Sequence, residues 1–180
     1  MGASSPVIDG LLGLSRAGRM HMARRRVDVT QVARRAAAKL QARDPGRVVG
    51  VQIAEGLEAW ADEALVAAVL DQLLGNAWKY TRDRADARIE VGVLGSGGKT
   101  VFYVRDNGVG FDMARAGRLF TPFVRLHEGT QFEGHGLGLA SARRIVERHG
   151  GEIHAEAREG EGATLYFSLG RFGLGVAAGR

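Results

Sequence analysis

The sequence predicts an α+β fold, a two-layer α/β sandwich in which a mixed, mostly antiparallel sheet carries its helices on one face. Two observations carry this expectation: the order of strand-like and helix-like runs along the chain, and antiparallel pairs gathered at its C-terminal end. The size fits. With 180 residues, 45% of them apolar and 25% charged, the chain can bury a core as one domain with a short appendage.

Taken in order, residues 6–26 read as the end of a helix, with Val7, Ile8, Leu11, Leu12 and Leu14 as an apolar stripe before the basic run Arg24–Arg26. Val27–Val29 suggests a short strand. Thr30 is placed to N-cap a helix over Gln31–Ala42, which Asp44-Pro45-Gly46 stops. Val48–Ile53 and Leu57–Trp60 alternate weakly, like strands. Asp62 then caps a helix whose Leu65, Val66, Val69, Leu70, Leu73, Leu74 and Ala77 form a wide apolar face. Arg88–Leu94 and Thr100–Arg105 pair around the turn Gly95-Ser96-Gly97-Gly98. Residues 107–136 lack a period and are rich in glycine, as in a loop. A helix over Leu137–His149 ends at Gly150 as its C′ residue, and Glu152–Ala157 with Ala163–Leu169 closes the fold as a hairpin.

Composition excludes several classes. There is no cysteine, hence no disulfide framework and no Cys-ligated metal. The longest apolar run, Ala64–Leu70, is far short of the roughly 20 residues that span a bilayer. A net charge of +5 invites a polyanion partner, but the charge is segregated: residues 1–47 hold ten basic and three acidic groups, residues 48–180 fifteen and seventeen. Glycine, at 27 residues, is about twice its usual share.

Four constellations carry chemistry. Gln72, Asn76, Lys79 and Tyr80 fall on one side of the helix begun at Asp62, where they suit hydrated Mg²⁺ and phosphate oxygens, although a solvated helix edge reads as well. Asp106-Asn107-Gly108-Val109-Gly110-Phe111-Asp112 follows a strand, so the acid can accept from an exocyclic amine while the glycines let a planar ligand approach. An Asn-Gly turn is the equal alternative. Gly134-His135-Gly136-Leu137-Gly138-Leu139 opens a helix, a place suited to phosphate, without the context of a dinucleotide fingerprint or a Walker A loop. Gly160-Glu161-Gly162-Ala163-Thr164 precedes the last strand and reads alone as a tight turn.

In order and spacing, the four together resemble one family. Over residues 6–170 the chain resembles the ATP-binding catalytic domain of sensor histidine kinases, of the superfamily that includes gyrase, Hsp90 and MutL ATPases. DQLLGNAWKYT is similar to the N box, DNGVGFD to the first glycine box, RLFTPFVRLH to the F-box region, GHGLGLA to the second glycine box and GEGATLYFSL to the last. The motif style, FDM then LF, RLH and FEG, is closest to kinases with PAS, GAF or phytochrome-type input modules. The resemblance implies a Bergerat-type fold, ATP and Mg²⁺ as ligands, and transfer of the γ-phosphoryl to a histidine for relay to a response regulator. It implies that Asn76 ligates Mg²⁺, that Lys79 reaches a phosphate and that Tyr80 lines the pocket. Asp106 would bind the adenine amino group, with Gly108 and Gly110 admitting the base. Gly134, Gly136, Leu137 and Gly138 would surround the phosphates, Thr164 would support adenine recognition, and Arg125 would contact phosphate from a lid anchored by Phe120 and Phe123. A cytoplasmic location with neither nucleic-acid nor membrane contact is expected.

Two departures stand out. Position 72, usually Asn in these kinases and Glu in the hydrolysing ATPases, is Gln72, which cannot act as a carboxylate base. No acceptor box is present either: His21, His135, His149 and His154 are not followed by an acid, and His127-Glu128 lies within the lid motif without a proline. His149 reads as a favourable charge or cap at a helix C-terminus, and His154 as a strand-face residue. The expected organisation is therefore 1–26, the end of a dimerisation and phosphoacceptor hairpin with its linker; 27–170, the ATP-binding catalytic domain; and 171–180, a tail. The rival expectations are an ATPase or serine kinase of the same superfamily, and an interaction module that uses the basic N-terminal segment.

Overall fold

A computed structural model describes residues 21–96, 99–124 and 136–170. Its core is a five-stranded sheet in the order β2-β4-β5-β7-β6, comprising β2 (Gly50–Ile53), β4 (Arg88–Ser96), β5 (Lys99–Asp106), β6 (Ile153–Arg158) and β7 (Gly162–Phe167). Only β2 and β4 pair in parallel; the other pairings are antiparallel. A separate ribbon joins β1 (Arg25–Asp28) to β3 (Glu58–Ala61), a partition that the weak alternation of these runs did not reveal. Residues 21–24 are not helical and Arg25 and Arg26 lie in β1, so the helix expected over residues 6–26 does not reach this segment. Residues 6–20 lie outside the described part.

Three helices cover one face of the sheet: α1 (Val29–Arg43), α2 (Glu63–Tyr80) and α3 (Gly138–Arg148). Period-two alternation sends Ile89, Val91, Phe102, Val104, Leu165 and Phe167 toward them, and Phe102 and Phe167 stack with ring centroids 5.4 Å apart. The central helix is α2, whose buried stripe from Leu65 to Trp78 is the one expected, capped as expected by Asp62 accepting from the Leu65 N–H at 3.2 Å.

The cap of α1 differs from expectation. Asp28, not Thr30, accepts from the Gln31 N–H, at 2.9 Å. Thr30 is buried, where its hydroxyl donates to the Ala54 carbonyl and accepts from the Leu57 N–H. A carboxylate at the last strand residue reaches the third helical amide, leaving the hydroxyl free to fix the β2–β3 connection. His149 is the C-cap of α3, as expected, but not a charge. It is 1% exposed; its Nδ1 meets the Ile145 carbonyl at 2.8 Å while Nε2 accepts from the Asp62 N–H at 3.2 Å. Burial lowers its pKa, so it acts as a neutral peg joining the C-terminus of α3 to the N-terminus of α2.

The basic N-terminal charge is matched locally. Arg25 and Arg35 pair with Glu63, Arg26 with Glu58, Arg34 with Glu55 and Lys39 with Asp71. Such exposed pairs stabilise little, about 0–1 kcal/mol each. Their consequence is electrostatic: these cations face acids of α2, β3 and the β2–β3 turn, which weakens the case for a free polyanion-binding surface.

Candidate nucleotide site

The last turns of α2, the loop after β5, the start of β7 and the first turn of α3 enclose a cleft holding about 420 Å³ of atom-free space, part of it open to solvent. Asn76, Tyr80 and Asp106 supply its polar groups; Gly110, Phe111, Leu119, Leu139, Ala163 and Leu165 complete the lining. Mostly apolar walls with a few convergent polar groups suit a flat heterocycle. The sequence reading missed Phe111, Leu119, Leu139, Ala163 and Leu165. The signal for two of them was strand alternation, which sends Ala163 and Leu165 to the face shared with Asp106.

Asp106 ends β5 opposite Ala163 and is 7% exposed. Its Oδ1 accepts from the Gly108 N–H at 2.8 Å. Burial pushes its pKa from 3.8 up to about 6, against the pull of backbone N–H groups of Gly108 and Ala163. A carboxylate held this far from water gains from an incoming donor.

The glycines are needed first by the protein itself. A Cβ on Gly108 would fall on the Tyr80 carbonyl oxygen, and one on Gly110, at φ +61°, on the Arg158 carbonyl oxygen. Gly162, at φ +116°, would meet the Asp106 carbonyl oxygen. Whatever they do for a ligand, they let the loop after β5 pass between the end of α2 and the β6–β7 turn. That turn is tied down by Gly160 donating to the Val109 carbonyl at 2.7 Å, and the loop by Val109 donating to Tyr80 at 3.1 Å.

At the other end, Leu137 N-caps α3 without a side-chain cap and is buried, so Leu139 rather than Leu137 faces the cleft. Among the described residues no side chain caps this first turn, whose backbone N–H groups and positive helix end suit an anion. Gly138 packs so closely on Gln72 that a Cβ would strike its Oε1, and Gly136 adopts φ +70° against Phe123 and Val124. The Lys79 ammonium stands 4.3 Å from the centroid of the Tyr80 ring, at the rim. Arg47, not singled out from the sequence, holds the end of α2: it lies 5.0 Å over the Trp78 ring and donates to the Trp78 carbonyl and to the Thr81 hydroxyl.

Two expectations need correction. Thr164 does not face the cleft. It pairs with Arg105 across the sheet, its hydroxyl accepts from Arg105 Nε at 3.3 Å on the opposite face, and Ala163 takes the cleft position. The alternation that points Asp106 inward must point Thr164 outward. Phe120 packs against the core, but the Phe123 side chain does not: it is 60% exposed at φ 64°, and Phe123 contributes through its backbone N–H, which donates to the Gly136 carbonyl at 2.9 Å. Arg125 and Gly134 lie outside the described residues.

For Mg²⁺ the donor set fits in one respect. Asn76 lines the cleft, and its side chain carries a neutral amide oxygen of the kind that binds a hard cation. Among the described residues no group of three acids or histidines could hold an ion alone, so an ion here would share Asn76 with phosphate oxygens and water.

Fold and cleft together define an ATP-binding α+β domain. Residues 61–171 match the family described as histidine kinase-, DNA gyrase B-, and HSP90-like ATPase, and the chain belongs to it. Its relatives include sensor histidine kinases. It is 37% identical over 159 residues to the methanogenesis regulatory histidine kinase FilI of Methanothrix harundinacea, covering 88% of this chain and 18% of that one. It is 36% identical over 166 residues to cyanobacterial phytochrome B of Nostoc, covering 91% and 22%. The chain thus spans about a fifth of the length of these curated relatives. The crystal structure of full-length ShkA in complex with AMPPNP superposes with a TM-score of 0.75 at 26% identity, over 91% of this chain and 35% of that one. Among the described residues no helix is long and apolar enough to cross a membrane.

Proposed function

We propose that the chain binds ATP with Mg²⁺ in this cleft and presents the γ-phosphoryl to a histidine on a phosphoacceptor hairpin outside this chain segment, for relay to a response regulator in the cytoplasm. The observation that carries the reading is Asp106, a buried acid with a raised pKa at the floor of an apolar cleft. An adenine amino group would donate to it, and the base would lie among Phe111, Leu119, Leu139 and Leu165. The triphosphate would extend toward the first turn of α3, where Gly136 and Gly138 keep side chains out of the way. Asn76 would hold Mg²⁺, which supplies charge neutralisation to the phosphates, while Lys79, and Arg125 from the lid, add positive charge.

With no carboxylate at position 72, the protein's part is positioning and electrostatics rather than activation of water. The acceptor helix would supply the nucleophile and its base. Gln72 instead packs against Gly138 at the start of α3, which favours transfer over hydrolysis. Incubating the chain with γ-labelled ATP, Mg²⁺ and a separately produced acceptor hairpin tests this. Label should move to the hairpin as an acid-labile phosphate faster than inorganic phosphate is released; rapid phosphate release with no labelled hairpin would refute it.

A further inference from the structure

We propose that Arg84 is a positioning residue for the nucleotide base, clamping the two glycine loops that wall the base end of the cleft. Arg84 lies in the turn after α2, half-buried, with its N–H donating to the Thr81 carbonyl at 3.0 Å. Its Nη2 donates to the Gly108 carbonyl at 3.2 Å and also to the Gly160 carbonyl. Gly108 belongs to the loop that follows Asp106, and Gly160 to the β6–β7 turn. Two carbonyl oxygens turned toward one point repel each other, and a cation between them converts that repulsion into two charge-assisted hydrogen bonds.

The clamp controls the orientation of one peptide. The 108–109 peptide is gripped on both sides, its N–H by the Tyr80 carbonyl and its oxygen by Arg84. The preceding N–H, on Gly108, is the one that donates to Asp106 Oδ1. Arg84 therefore acts on the base through Gly108 and Asp106 without touching the cleft, since it is not among the cleft-lining residues. One nitrogen serves both carbonyls, so a lysine ammonium can replace it, whereas a glutamine or an alanine cannot supply the charge.

The inference rests on the adenine assignment of Asp106. The test compares the full chain with its Arg84→Ala, Arg84→Gln and Arg84→Lys variants, measuring ATP–Mg²⁺ affinity by calorimetry across pH 5–8 and checking folding by thermal melts. Arg84→Ala and Arg84→Gln should weaken ATP by about tenfold, the scale of one charged hydrogen bond. They should also move the acid limb of the affinity profile to higher pH, as the Gly108 N–H loosens from Asp106. Arg84→Lys should stay within about threefold of wild type with its profile unmoved. If Arg84→Ala fails to fold, the comparison of Gln with Lys decides. Wild-type affinity and profile in Arg84→Gln, or equal losses in Gln and Lys, overturn the clamp while leaving the ATP reading intact. A wild-type chain that binds no ATP overturns both.

Discussion

Replacing Asp106 by asparagine should remove a loss of stability that the nucleotide-free protein suffers as pH rises from 4 to 8. In the unfolded chain this carboxyl titrates near 3.8; in the folded chain it titrates near 6. The folded state therefore binds the proton more tightly, and stability falls as pH rises through the window between the two values. Above pH 6 the group is charged and buried, and the cost is fully present. Well below pH 3.8 it is neutral in both states and the cost vanishes, and at pH 4 only about 0.5 kcal/mol of it remains. About two pH units at 1.36 kcal/mol each give a cost of ~3 kcal/mol. An asparagine side chain does not ionise, so Asp106→Asn should gain ~2.5 kcal/mol over wild type between pH 4 and pH 8. The fixed cost of burying the amide cancels in that comparison, and an asparagine oxygen can still accept from the Gly108 N–H. For a chain of this size the gain corresponds to about 5–10 °C in Tm, growing from pH 4 to pH 8. Thermal melts of both proteins at the two pH values read it directly. A Tm difference that stays constant between pH 4 and pH 8, or that moves against the variant as pH rises, would refute the claim that Asp106 is held charged at a cost.

Other outcomes rest on the same geometry. ATP affinity should be flat above pH 7 and fall as pH drops through about 6 in wild type, because protonated Asp106 no longer offers a charged acceptor; calorimetry against pH shows this, and Asp106→Asn should lack the transition. Gly162→Ala forces a Cβ onto the Asp106 carbonyl at φ +116° and should cost about 2–4 kcal/mol in urea unfolding, beyond the usual cost of alanine at positive φ. Asn76→Ala should abolish the increase in ATP affinity caused by Mg²⁺ while leaving melting within about 1 kcal/mol of wild type, since the side chain is only half-buried at the cleft wall. His149→Ala removes the acceptor for the Asp62 N–H and leaves a cavity; it should destabilise by about 2–4 kcal/mol and leave ATP affinity unchanged in the folded fraction.

Much of the framework was legible because it rests on local rules. The apolar stripe of α2, its Asp62 cap, the Gly150 stop after α3 and the C-terminal hairpin follow from periodicity and capping chemistry alone. Long-range partition was not legible: nothing in Glu58–Ala61 says that it pairs with β1 rather than with the main sheet. The site was readable as motifs but not as directions. Thr164 and Ala163 differ by one position, and only the pairing of Asp106 with Ala163 decides which of them faces the cleft. Gly108 and Gly110, which the motif offered as room for a ligand, also make room for the carbonyls of Tyr80 and Arg158, a need that the sequence did not display. Arg84 and Arg47 gave no signal in the sequence, because the carbonyls they hold are backbone groups that a sequence does not display.

The central claim is that ATP binds in the cleft floored by Asp106. Calorimetric titration of ATP–Mg²⁺ into wild type and into folded Asp106→Asn at pH 8 tests it most directly. Saturable one-site binding by wild type, weakened by about 10–100-fold in the variant, is the predicted result; equal affinity in the two proteins would contradict the account.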